Sequence, residues 1–136
     1  GGKLPFTTIS LNKNYGGRMH RDAGNIGPSI GIAIGKHTGG RLRYWAGDSE
    51  RGKRSANVER VRKEPSIALN IKSGVVFDGN CAHEVEKFKG ERYSLIFFTT
   101  KKYQKASSSV KRKMIRMGAD WPNGQSLKQL SSHIPT

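Results

Sequence analysis

The sequence predicts an all-β protein, a sandwich or jelly-roll-like barrel, with one helix at its C-terminal end. Three observations carry that expectation. Gly is abundant, 17 of 136 residues, while hydrophobic residues reach only 34%, a balance that favours many turns and a modest core over a helical bundle. Several short runs alternate apolar and small or polar residues at a period of two, as half-buried strands do. Clusters of Gly, Asn and Asp separate those runs and turn the chain. The length suits one compact domain. No apolar run approaches the roughly 20 residues that a membrane span needs. The opening, GGKLPF, shows neither an apolar signal segment nor an initiator Met and reads as a cut or processed end.

Residues 6–13 are rich in β-formers and read as the first strand, with Ile9 and Leu11 on one face. Residues 14–18 are a turn. Residues 29–35 alternate strictly, Ile30, Ile32 and Ile34 against Gly31, Ala33 and Gly35. So small a second face implies that another element approaches it closely. Thr38, Gly39 and Gly40 read as a turn into a strand over residues 41–45. Residues 48–64 are polar and charged, a loop or edge excursion. Two short buried strands follow at 67–71 and 75–77, then a turn at 78–80, then the most apolar strand at 92–99. Ser107, Ser108 and Ser109 offer an N-cap for a helix over 110–117 that stops at Gly118. Val110, Met114 and Met117 share one face of it, with Lys111, Lys113 and Arg116 largely elsewhere. The end beyond Trp121 and Pro122 has no core pattern and is expected to be loosely held. The division that follows is a β core over residues 1–103 and a basic helix and tail over 104–136.

The chemistry starts at His20 and Asp22. Two positions apart on an extended segment, both side chains point to one face, so an imidazole nitrogen and a carboxylate oxygen can reach a single metal ion. His83 follows the 78–80 turn and offers a second imidazole; two His and one carboxylate form a facial triad that leaves coordination positions open. Arg92 comes nine residues after His83, at the head of the most apolar strand, with Ser94 on the same face. A cation there is costly unless a buried anion pairs with it, and the planar guanidinium suits a carboxylate.

The order H-x-D, a gap of 61 residues from Asp22 to His83, and then Arg92-x-Ser94 resembles the 2-oxoglutarate/Fe(II)-dependent dioxygenase superfamily over residues 6 to about 103. The segment from His20 to Ser29, with Gly39-Gly40 and Asp78-Gly79-Asn80, is most similar to its algal and protist branch near the ten-eleven-translocation and base-J-binding oxygenases. The resemblance implies a double-stranded β-helix with Fe(II) on His20, Asp22 and His83. It implies 2-oxoglutarate held by Arg92 and Ser94, with Tyr15 adding a hydroxyl, and O2 as the second co-substrate. Members usually carry supporting elements upstream of the first barrel strand, and here the strand opens the chain.

Other residues read more plainly. His37 and His133 are expected at the surface, and Cys81, the lone cysteine, is expected to be a small buried thiol in a reducing compartment, nucleus or organelle left open. Asn25 and Asn80 read as turn residues, with Asn25 a candidate for a bond to Asp22. Tyr44, Trp45 and Trp121 read as packing residues. The net charge is +15, which attracts polyanions. Nine cations lie between residues 36 and 63. Seven more, Lys101, Lys102, Lys105, Lys111, Arg112, Lys113 and Arg116, occur over 101–116 with no acid among them, so phosphate contact is expected. The expected function is therefore hydroxylation of a C–H bond, first in a nucleobase of DNA or RNA and second in a protein side chain. The rival expectation is a non-catalytic barrel acting as a structural or RNA-binding part of a nucleoprotein assembly.

Overall fold

Alternation dictates most of what forms. A computed structural model describes residues 4–136; the reading of the first three residues lies outside it. Among the described residues nine strands are present: β1 (Thr8–Lys13), β2 (Ser29–Ile34), β3 (His37–Gly39), β4 (Leu42–Tyr44), β5 (Ile67–Leu69), β6 (Val75–Phe77), β7 (His83–Val85), β8 (Phe88–Gly90) and β9 (Tyr93–Phe98). Two helices follow, α1 (Ser108–Arg116) and α2 (Gly124–Ser131). The protein is thus mostly β with few helices. Its sheets have the orders β1-β9-β2-β6, β5-β4-β7 and β3-β8, all antiparallel. Among the described residues they remain three sheets, with no closed barrel.

Register sorts the side chains of the large sheet. Asn12 stands opposite Ser94 and Ser10 opposite Ile96, while on the other side of β9 Gly31 meets Ile96 and Ala33 meets Ser94. These form the inner face. Gly31 has no room for a side chain, since a Cβ there would sit 2.9 Å from Ile71 and 3.2 Å from Ile96. The close approach expected from the sequence is therefore Ile71, which belongs to the core of Ala33, Leu42, Tyr44, Ile71, Phe77 and Cys81.

Four expectations need correction. Thr38 and Gly39 belong to β3, which pairs with β8. His37, expected at the surface, is buried at the start of β3, where it pairs with Gly90 and its carbonyl accepts from Lys72 Nζ at 2.8 Å. The 48–64 excursion is anchored rather than free: a 3-10 turn over Val58–Lys63 puts Val58 and Val61 into a second cluster with Met19, Trp45 and Ala82. The tail is held by a second helix. Asn123 and Ser126 cap α2 reciprocally, and Leu127 and Leu130 are buried. Helix α1 begins at its Ser107 cap and is followed by Gly118 at φ +98° as expected, yet none of its residues is buried.

Candidate metal centre

The site is made by pairing residues 17–22 onto the edge of β7. His20 N–H donates to the His83 carbonyl at 3.0 Å and His83 N–H donates to the His20 carbonyl at 3.1 Å. Val85 N–H donates to Gly17 and Asp22 N–H to Gly79 on either side. His20 and His83 are thus directly opposed across an antiparallel bridge, which sends both side chains to one face. Their rings lie 4.4 Å apart. Asp22, two residues beyond His20, falls on the same face.

Asp22 spans both imidazoles: Oδ1 is 3.3 Å from His20 Nε2 and Oδ2 is 3.4 Å from His83 Nε2. One ligand atom from each residue lies within 4.8 Å of the others. Each Nδ1 faces a backbone carbonyl, that of Arg18 for His20 and of Cys81 for His83. A carbonyl can only accept, so each Nδ1 carries a hydrogen and, in the neutral ring, each Nε2 presents a lone pair to Asp22. Lone pairs facing a carboxylate at this range require a cation between them, a proton or a metal ion. Burial alone would raise the Asp22 carboxyl, but bonds with the two imidazoles outweigh it and hold it well below the usual carboxylate range. The same contact raises His20.

The three ligands open into a cavity of 290 Å3 whose other walls include Ser10, Asn12, Arg92 and Ser94. Arg92 is only 2% exposed, yet its Nε has no partner and Nη2 donates only to the Gly40 carbonyl at 3.2 Å. Among the described residues no carboxylate pairs with it. Burial without a counter-charge lowers its pKa. Its backbone is pinned, with N–H donating to Asn14 Oδ1 at 2.8 Å. The guanidinium is approached so closely by Gly40 that a Cβ there would lie 2.8 Å from Nε. Tyr15 lines the same cavity at its rim and is 60% exposed. The sequence candidates His20, Asp22, His83, Arg92, Ser94 and Tyr15 therefore share one cavity.

Two residues that sequence reading passed over hold the site together. Arg21, between the ligands, points the opposite way and is buried against Asp48, with Nε–Oδ2 at 2.6 Å and Nη2–Oδ1 at 2.9 Å. Asp48 also accepts from Ala82 N–H at 2.8 Å. One carboxylate thus ties the segment of His20 and Asp22 to the residue before His83. The available signal was parity: if residues 20 and 22 face a cavity, residue 21 faces the core and needs an acid.

Of the remaining candidates, Cys81 is buried, its thiol directed to Asp78 and its pKa pushed up to about 11 chiefly by burial. Asn25 lines the cavity, and its bond to Asp22 runs from backbone N–H to carbonyl at 3.3 Å. Tyr44 and Trp45 are core residues, each 1% exposed. The first basic run is largely neutralised internally, Arg41 and Arg43 by Glu86, Arg51 by Asp78, Lys53 by Glu50, and Arg62 by Glu59 and Glu84. The seven cations over 101–116 are exposed and have no ion-pair partner among the described residues.

Fold and site together define a β-sheet protein with a His-Asp-His group able to hold a metal ion. No family model matches the chain, and no curated protein matches it. Among the described residues no helix is long and apolar enough to cross a membrane.

Proposed function

We propose that this chain is an Fe(II)- and 2-oxoglutarate-dependent dioxygenase of the double-stranded β-helix type that hydroxylates a C–H bond, with a nucleobase in DNA or RNA as the first substrate class. The observation that carries the reading is the coincidence, in one cavity, of a 2-His-1-carboxylate group with a buried arginine that lacks an anion. The donor set fits a first-row divalent ion with open coordination positions. When bound, iron supplies the oxidising chemistry, with O2 and 2-oxoglutarate consumed and succinate and CO2 released.

The chain's own part is positioning. His20, Asp22 and His83 hold the ion, and the carbonyls of Arg18 and Cys81 fix both rings with Nε2 inward. Arg92 supplies a fork for a carboxylate at a distance from the ion, with Ser94 beside it. Buried charge without a partner costs several kcal/mol, so a diacid entering this cavity satisfies a group that folding alone leaves bare.

Separate titrations of metal and of 2-oxoglutarate test the reading. Asp22→Ala abolishes metal binding. Arg92→Lys keeps the charge and loses the fork, so 2-oxoglutarate affinity falls about tenfold or more while metal affinity holds, since a charge-assisted bond contributes roughly 1.5–3 kcal/mol. Equal loss of both ligands makes Arg92 structural. The second reading, a non-catalytic nucleic-acid-binding module, is favoured by the unpaired cations over 101–116; it requires oligonucleotide binding with no succinate release from the iron-loaded chain.

A further inference from the structure

A second groove, 820 Å3 and wide open, adjoins the metal cavity, and Gly17 and Val85 line both. Its walls come from residues 16–18, from β3 and from residues 84–89. Three exposed cations stand along it, Arg18, Lys87 and Lys89. Among the described residues none of the three has an ion-pair partner. The groove's own acids are already committed, Glu84 to Arg62 at 2.7 Å and Glu86 to Arg41 at 2.8 Å. Its electrostatic demand is therefore for an anion from outside. Phe88 adds an aromatic surface against which a base can stack.

Size and position narrow the occupant. The metal cavity, at 290 Å3, falls just under the roughly 300–1,000 Å3 of ordinary small-molecule sites. A large substrate cannot fit whole within that volume, so most of it lies outside, and the groove that shares Gly17 and Val85 with the cavity adjoins it there. The cations also continue on the other flank of the ligands: Lys101 N–H donates to the Gly24 carbonyl at 3.0 Å, placing the start of the 101–116 run beside the segment that follows Asp22. Cations on both sides of the metal cavity match a chain of regularly spaced negative charges. A base stacked in a duplex cannot reach into that cavity, whereas an unpaired one can.

We infer that this groove seats the sugar–phosphate backbone of a single-stranded nucleic acid, with Arg18, Lys87 and Lys89 on successive phosphates and one nucleotide turned into the metal cavity. The inference rests on the nucleobase form of the proposed function and specifies how that substrate is held.

Its test needs no metal. Binding of a fluorescent single-stranded oligonucleotide is followed by anisotropy across a salt series, for the unchanged chain, for Lys87→Gln/Lys89→Gln, and for the same pair with Arg18→Gln. Each lost phosphate contact on a single strand flattens the slope of log affinity against log salt by about 0.7, so the double variant loses about 1.4 and the triple about 2.1. The Lys87 and Lys89 side chains are exposed and neither residue holds a ligand of the metal site, so circular dichroism and metal affinity stay unchanged in the double variant; the triple variant, whose Arg18 carbonyl faces the His20 ring, is compared by its salt slope and circular dichroism alone. An unaltered slope in the triple variant overturns the inference. So does tighter binding of a duplex, or displacement of the strand by polyglutamate as readily as by unlabelled oligonucleotide, which would assign the groove to an acidic peptide. Metal and 2-oxoglutarate titrations on the same preparations read the oxygenase proposal separately: either can fail while the other stands.

Discussion

At the scale of single residues, the most consequential group is one the sequence conceals. H-x-D draws attention to positions 20 and 22, and the residue between them is written as a blank. Arg21 fills that blank with a buried ion pair to Asp48, neither side chain exposed. Asp48 sits in a stretch that reads as a charged loop, so nothing along the chain announces the partner. His83 and Arg92, by contrast, were legible, because each follows a turn or opens an apolar run. Replacing Asp48 with Asn leaves the guanidinium buried and unpaired, which costs about 3–5 kcal/mol. It also loosens the ligand segments, for which about a 10–100-fold loss of metal affinity is expected. The pH dependence has a definite sign. Burial works against the ionised Asp48 carboxyl, but the Arg21 bonds prevail and hold its pKa below the usual range of an aspartate. A carboxyl depressed in the folded state stabilises the fold above its unfolded value and loses that contribution as acid is added. Urea melts should therefore show stability falling below about pH 3.8, with the variant losing less over that window than the unchanged chain.

Among elements, what the sequence reveals depends on whether pairing is local. Alternation exposes β1, β2 and β4, and short apolar runs expose β5, β6 and β9, each legible from one stretch of residues. The strands β3, β7 and β8 are no shorter than β4, β5 and β6 but carry neither an alternating nor an apolar run, and the edge formed by residues 17–22 exists only through its register with β7. That register brings His20, Asp22 and His83 together, so the three candidate ligands could be picked out along the chain while the geometry that unites them could not. Helix α2 was missed for another reason: it contributes only Leu127 and Leu130 as buried apolar residues, too few to mark a face. Its effect is larger than its pattern. A Cβ on Gly27 would lie 2.9 Å from Leu127, so the helix braces the loop between Asp22 and β2. Leu127→Ala is expected to lower unfolding stability by about 2–5 kcal/mol, measured by denaturant titration, with little change in metal affinity because no ligand touches α2. A large affinity loss with intact stability would show that α2 acts on the site rather than on the fold.

For the whole molecule, composition announces a strongly basic chain but not where the charge is spent. Folding directs half of the ten acids, Glu50, Glu59, Asp78, Glu84 and Glu86, onto cations between residues 36 and 63, while the cations of the tail and of the Gly17-side groove have no ion-pair partner among the described residues. This partition is a property of tertiary structure, beyond what a count of charges can disclose. The lone thiol offers a way to time the molecule's openings. Cys81 is sealed beneath the turn whose backbone carbonyl holds the His83 ring, so an alkylating reagent reaches it only when that turn lifts. Each lift also releases a metal ligand. The thiol is thus a clock for ligand release, and its rate of alkylation should slow about a hundredfold when a divalent ion is present at a hundred times its dissociation constant. An unchanged rate would mean that the turn opens without disturbing His83.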